Sequence, residues 1–259
     1  MQLEGRKALI TGGGSGIGRA LAIEAARRGM RLALLGRRRE PLNETLSALP
    51  GAGHLAIMAD VTNRMDRLAA MADIEAHWGA LDLLVNNAGV VPVGPLAAAT
   101  DEDLQAVVNT NLVAPMAMVR DALPLLKKAK GARVVNIGSL LGDIPYPLFA
   151  SYSATKAGLR GFSIALRREL APLGIGVTYA APRTTHTPAA RSVQSLIEPF
   201  EMKLDAPEKV AKFVWDAVAR EANAVYPAGA ERLYVLMQRL FPGVVDRAVG
   251  KQFARVLAR

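Results

Sequence analysis

Thr11-Gly12-Gly13-Gly14-Ser15-Gly16-Ile17-Gly18 follows directly on the apolar run Ala8-Leu9-Ile10 and opens onto an alanine-rich stretch ending at Gly29. A strand, a glycine-rich turn and a helix in that order form the first half of a βαβ unit. Gly12 permits a tight turn, Gly16 lets backbone approach a bound group closely, and Gly18 lets the helix pack against the sheet. The helix N-terminus then offers free N–H groups and partial positive charge to phosphates, with Ser15 and Ile17 lining its first turn. The reading that follows is a dinucleotide cradle. Gly29 suits the left-handed position that ends the helix.

Outward from this unit, short apolar runs alternate with amphipathic stretches. Strands are expected over 7–10, 31–35, 55–58, 81–85, 133–137, 176–179 and 224–226. Helices are expected over 16–28, 41–49, 65–78, 101–128, 151–173 and 207–221. This alternation predicts an α/β fold: a single doubly wound Rossmann domain over residues 1–259, with a mostly parallel sheet of about seven strands and helices on both faces. No repeat or flexible linker divides the chain. Residues 182–204 interrupt the pattern after a strand with prolines, serines and threonines, and are read as a substrate loop, since parallel sheets place ligands at the carboxyl ends of their strands.

The 259 residues are 51% hydrophobic, enough for an extensive core. Without cysteine, disulfides, thiolate ligands and cysteine nucleophiles are excluded, and chemistry falls to oxygen and nitrogen groups. The net charge of +9 permits an anionic partner, but the basic residues are scattered and aromatics make up 5% of the chain, too few for base-stacking platforms, so nucleic acid is not expected. The N-terminus lacks the pattern of a secretory signal, no apolar run is long enough to span a bilayer, and a cytoplasmic location is expected. No histidine spacing fits a metal; His54 and His77 read as structural.

The second strand ends in Gly36-Arg37-Arg38-Arg39. A site for NAD would place a carboxylate here for the ribose hydroxyls; Gly36 removes it, and Arg37, with Arg38 beside it, can grip a 2′-phosphate, which points to NADP(H). A solvated helix start is the alternative, although cations there oppose the macrodipole. Asp60, followed by Val61, is placed to accept from an adenine amino group or to cap the next helix. In Asn86-Asn87-Ala88-Gly89 the small residues allow close approach to the adenosine side, while the asparagines tie strands together.

Tyr152 and Lys156 are four residues apart, on one face of a helix. A fixed ammonium beside a phenol is expected to lower its pKa toward neutrality, and the lysine can also reach ribose hydroxyls. Such a pair arises by chance and gains its weight from its surroundings. Ser139 follows the fifth strand at its carboxyl edge, and Asn111 lies on the helix before that strand.

With these motifs in this order, the chain resembles the short-chain dehydrogenase/reductase family over nearly its whole length. The resemblance implies that Tyr152 is the general acid or base, that Ser139 hydrogen-bonds the reacting carbonyl or hydroxyl, and that Lys156 binds the nicotinamide ribose while tuning Tyr152. Asn111 would hold a water linking Lys156 to solvent. It implies hydride transfer between NADP(H) and a carbonyl or secondary alcohol, in a homodimer or homotetramer packed through the helices at Asp101 and Ser151. The family commonly carries Pro-Gly-x-x-x-Thr after the sixth strand; this chain has Pro182 and Thr187 in place, with Thr185 between them as a carboxamide contact, but Arg183 replaces the glycine. Arg183 either reaches into the site toward an acidic group or points outward. His186 reads as a loop residue.

The apolar stretch 140–149, with 92–95 and the apolar residues of 192–204, forms a wall suited to an apolar or amphiphilic substrate. From 231 to 259 six Arg/Lys face two acids on helically spaced apolar positions broken at Pro242-Gly243. This basic amphipathic extension suits an anionic membrane, a neighbouring subunit or its own domain. A regulator that binds NADP(H) without turnover and a membrane-associated lipid-modifying reductase are the alternatives to a soluble reductase; an intact proton relay argues against the regulator.

Overall fold

The computed structural model describes residues 1–187 and 193–257. Seven strands, β1 (Lys7–Thr11), β2 (Arg31–Gly36), β3 (Leu55–Met58), β4 (Leu83–Asn86), β5 (Arg133–Ile137), β6 (Gly176–Ala180) and β7 (Ala224–Val225), form one sheet in the order β3-β2-β1-β4-β5-β6-β7. Every pairing is parallel. The expected Rossmann-type α/β domain is therefore present, with a fully parallel sheet.

The central strands are apolar on both faces because helices cover both. Ile10, Leu32, Leu34 and Val85 face one layer with α1 (Gly16–Arg27), α2 (Arg39–Ser47) and α8 (Pro207–Ala219). Their neighbours Leu9, Ala33, Leu35 and Leu84 face the other, with α3 (Arg64–Trp78), α5 (Ala114–Lys127) and α6 (Ala150–Leu170). Trp215 of α8 is fully buried and donates its indole N–H to the Leu21 carbonyl of α1 at 2.9 Å, so its polar atom stays satisfied inside the core. Burying a side chain of this size stabilises by roughly 1.5–3 kcal/mol.

Gly29 adopts the left-handed conformation (φ 78°) that ends α1, as its sequence position indicates. The helix expected over 101–128 is not uniform: α4 (Asp101–Val108) passes into a π-helical turn, Asn109–Val113, before α5. Periodicity cannot reveal one extra residue in a turn. The helix expected over 151–173 closes in a 3₁₀ turn, Ala171–Leu173. The tail folds into α9 (Glu231–Leu240) and α10 (Pro242–Leu257), divided at the expected break. Within the loop 182–204, residues 188–191 and Ser192 lie outside the described residues, as do Ala258 and Arg259 of the tail; Gln194–Ile197 forms the short α7.

The strand order reverses at β1 and β4. Their carboxyl ends, carrying Gly12 and Asn87, open the crevice where this architecture binds ligands.

Candidate active site

The cradle's form follows from its glycines. Gly12 (φ 67°) and Gly16 (φ 54°) occupy left-handed backbone that other residues resist. A Cβ on Gly18 would stand 2.1 Å from the Gly12 carbonyl oxygen and 2.6 Å from Asn87 Nδ2. α1 thus begins pressed against its own loop and the end of β4. The Asn87 amide donates to the Thr11 carbonyl at 2.9 Å, while the Thr11 hydroxyl accepts from the Asn87 and Ala88 backbone at 2.9 and 3.0 Å. Asn86 Nδ2 donates to Asn136 Oδ1 at 2.9 Å. Both asparagines tie strands together, and the loop they carry still lines the crevice.

Two adjoining clefts share Gly12, Ser15, Ala88 and Gly89. The first, of about 250 Å³, is bounded by Gly16, Ile17, Gly18 and Asn87, by Ser139, Tyr152 and Lys156, and by Pro182, Thr185 and Thr187. The second, of about 400 Å³, is bounded by Gly36, Arg37, Arg38, Asp60 and Val61. Every residue expected at the cofactor or catalytic site except Asn111 therefore faces one continuous crevice. The glycine cradle and the small residues Ala88 and Gly89 shared by both clefts fit a dinucleotide.

Arg37 and Arg38 are exposed at the start of α2, with Arg38 at the N-cap. Asp60 does not cap α3, a role taken by Asn63. It accepts from the Thr62 N–H at 2.8 Å and hydroxyl at 2.7 Å. Partial burial raises its pKa, but the Thr62 hydrogen bonds and the Arg37 charge outweigh this and hold the carboxylate below its ordinary value.

Tyr152 and Lys156 are both buried on the inner face of α6, with Lys156 Nζ 5.7 Å from the centre of the tyrosine ring. The ammonium donates to the Ile137 carbonyl at 3.0 Å, which anchors it to the end of β5. Burial pushes Lys156 down to about 8 and Tyr152 up to about 12, the latter opposed in part by a hydrogen bond with the Ser139 side chain. The phenol is thus raised rather than lowered, because desolvation of a buried phenolate is the largest effect on it. Ser139 Oγ also accepts from the Leu141 N–H at 3.1 Å, fixing the hydroxyl at the mouth of β5.

The Asn111 side chain is fully buried and engaged by its neighbours. It accepts from the Val90 N–H and donates to the Val90 carbonyl, both at 2.8 Å, with a longer contact of 3.4 Å to the Thr155 hydroxyl. It clamps the loop after β4, and the π turn presents it for that pairing. Arg183 does not point outward: it lines the first cleft, and its charge is taken up by acids of the chain itself. Its guanidinium meets Asp205 and Glu231 at 3.0 Å each and donates to the Ala228 carbonyl, joining the loop after β6 to the start of α9. His54 accepts from the Leu32 N–H, and His77 pairs with the Asp73 carbonyl, so both are engaged locally.

Two glycines that motif reading passed over hold Ser139 in place. A Cβ on Gly138 would fall 2.2 Å from the Tyr179 ring, and one on Gly142 2.7 Å from the Lys156 backbone. Their position on either side of Ser139 was the available signal. Apolar Val91, Leu141, Phe149, Val193 and Met202 complete the first cleft.

A parallel sheet reversing at a glycine cradle, with serine, tyrosine and lysine converging beside it, defines a dinucleotide-dependent oxidoreductase. The model for short chain dehydrogenase matches residues 6–197, and the chain belongs to this family. It is 37% identical over 182 residues to "Carbonyl reductase family member 4" of Danio rerio, covering 70% of this chain and 76% of that one. It is 36% identical over 185 residues to the human 3-oxoacyl-[acyl-carrier-protein] reductase, covering 71% and 78%. With the 3-oxoacyl-[acyl-carrier-protein] reductase FabG of Pseudomonas aeruginosa it shares 33% identity over 241 residues, covering 89% and 96%. The chain is an oxidoreductase of the short-chain type that works with a nicotinamide cofactor.

Proposed function

We infer that this enzyme uses NADP(H) to reduce a carbonyl group on an apolar or amphiphilic substrate. The observation that carries the reading is the continuity of the crevice, with Ser139, Tyr152 and Lys156 at one end and carboxylate-free Gly36 beside exposed Arg37 and Arg38 at the other. When bound, the nicotinamide supplies the hydride. The chain supplies orientation and the proton: Ser139 hydrogen-bonds the carbonyl oxygen, Tyr152 gives its proton to that oxygen, and Lys156 holds positive charge behind the phenol. A phenol pushed up to about 12 keeps its proton at neutral pH, which suits an acid in reduction. Two of the relatives' names, carbonyl reductase and 3-oxoacyl reductase, describe carbonyl reduction as well. The apolar side chains lining the cleft favour an acyl or other greasy chain beside the carbonyl.

Arg37→Ala is expected to weaken NADPH binding about tenfold to a hundredfold, the worth of a charge-assisted contact, and to leave NADH binding little changed. Equal losses for the two cofactors, measured by fluorescence titration, would remove the 2′-phosphate assignment. A panel of carbonyl compounds of increasing chain length, followed by NADPH absorbance, tests the substrate class.

A pH profile follows from Lys156. Burial holds it at about 8, below the 10.5 of an exposed lysine, so the ammonium required for reduction is present below about pH 8 and is lost above it. Reductive kcat/KM is expected to be level on the acid side and to fall about tenfold per pH unit beyond the titration. The stability linkage has the opposite direction: the cost of burying the ammonium is felt in full below pH 8 and relieved as pH rises from there to 10.5. A reductive rate that climbs through pH 9 would contradict the role given to this lysine.

We also propose self-association through the α4–α5 and α6 side of the domain, where Val108, Val113 and Met116 are exposed. Sedimentation velocity reads it directly.

A further inference from the structure

α9 is an amphipathic helix turned outside in. Its exposed face carries Leu233, Leu236 and Leu240, each at least half exposed, with Tyr234 beside them. The side turned to the protein carries the buried Val235 together with Glu231, paired with Arg183, and Arg239, whose guanidinium reaches Asp143 at 3.0 Å. A helix stabilised only by its own domain would place its leucines inward. Phe241 and Val244 continue the exposed apolar surface across the junction into α10.

α10 differs. Its inner side, through Phe253 and Val256, packs on Phe149, Val193, Leu196 and Phe200 at the substrate end of the domain. Its exposed side carries Arg247, Lys251 and Arg255, which recur at helical spacing and share one face with Val244. An apolar ridge thus lies next to a basic stripe.

We propose that α9 and α10 dock this enzyme on the surface of an anionic bilayer, with Leu233, Leu236, Leu240 and Phe241 entering the headgroup region and Arg247, Lys251 and Arg255 meeting acidic lipid. Charge complementarity selects this occupant over a second copy of the chain. Between residues 231 and 257 the acids are Glu231 and Asp246, and Glu231 is committed to Arg183. Two copies laid face to face through this surface would set the basic stripe against its own kind with a single free carboxylate per chain to offset it. An anionic lipid surface satisfies the cations and buries the leucines together. No helix among the described residues is long and apolar enough to cross a membrane, so the contact is peripheral.

The test is sedimentation of the full chain with vesicles of phosphatidylcholine alone or mixed with phosphatidylglycerol, alongside sedimentation velocity without lipid. The wild-type chain is expected to bind the mixed vesicles strongly and pure phosphatidylcholine weakly. Each cation near an anionic surface contributes about fivefold, so Arg247→Glu/Lys251→Glu/Arg255→Glu should weaken binding to mixed vesicles by about a hundredfold or more. Leu236→Asp/Leu240→Asp should weaken it about tenfold or more. These side chains are exposed, and an unchanged melting curve confirms that the variants fold. Failure to bind either vesicle, or binding that both variants retain, overturns the proposal. An oligomer that the leucine variant dissociates, in a chain that ignores vesicles, overturns it in favour of a second copy.

Discussion

Tyr152→Phe is expected to lower reductive kcat by about 10²- to 10⁴-fold, the usual contribution of a positioned general acid. NADPH affinity should stay close to that of the wild-type chain, because the cradle and the arginine end of the crevice do not depend on the phenol oxygen. The ring remains buried on α6 and loses only its hydroxyl, which in the folded protein shares a hydrogen bond with Ser139, so stability should change by no more than about 1 kcal/mol. Single-turnover measurement at saturating NADPH separates the chemical step from binding. A variant that turns over like the wild-type chain would show that the proton comes from elsewhere. Loss of cofactor affinity in step with kcat would recast Tyr152 as a binding residue.

The other large effect belongs to Gly18→Ala. The added methyl would meet the Gly12 oxygen at 2.1 Å and the Gly12 carbon at 2.8 Å, both backbone atoms that cannot rotate aside. The first turn of α1 must therefore lift away from the loop, misdirecting the N–H groups that would hold a pyrophosphate. Overpacking of this kind costs about 1–3 kcal/mol in stability. The expected outcome is a folded protein with a lower melting temperature and little measurable NADPH binding. Retained binding together with an unchanged melt would mean that the loop opens freely and that Gly18 is not what holds it closed.

Most of the architecture was legible because a parallel sheet covered on both faces imposes apolar runs of strand length, and the cradle imposes glycines at fixed positions. Gly12, Gly18, Ser139, Tyr152 and Lys156 were identifiable from spacing and context, and the structure brings them to one crevice. Three features were not legible. The π turn at Asn109–Val113 differs from a helix by one residue and leaves no periodic trace. The direction of the Tyr152 shift depends on burial, which a four-residue spacing does not encode. The direction taken by Arg183 depends on Asp205 and Glu231, which lie 22 and 48 residues further along the chain and meet it only after folding.

The ion pairs of Asp143 have a consequence for how the protein can be taken apart. Its side chain is 1% exposed and receives Arg160 from α6 and Arg239 from α9, while Tyr226 donates to it at 3.3 Å. Arg183 makes a second such junction with Glu231. The family match ends at residue 197, short of Tyr226, Glu231 and Arg239, so the last helices look separable on paper. They are not. Cutting the chain at 230 would strip a guanidinium from a buried carboxylate and a carboxylate from a largely buried guanidinium, both within a few residues of Ser139 and Pro182 in the chain. A shortened protein would report on the integrity of its catalytic cleft as much as on the loss of its tail, which makes surface substitutions, rather than truncation, the clean way to ask what the tail does.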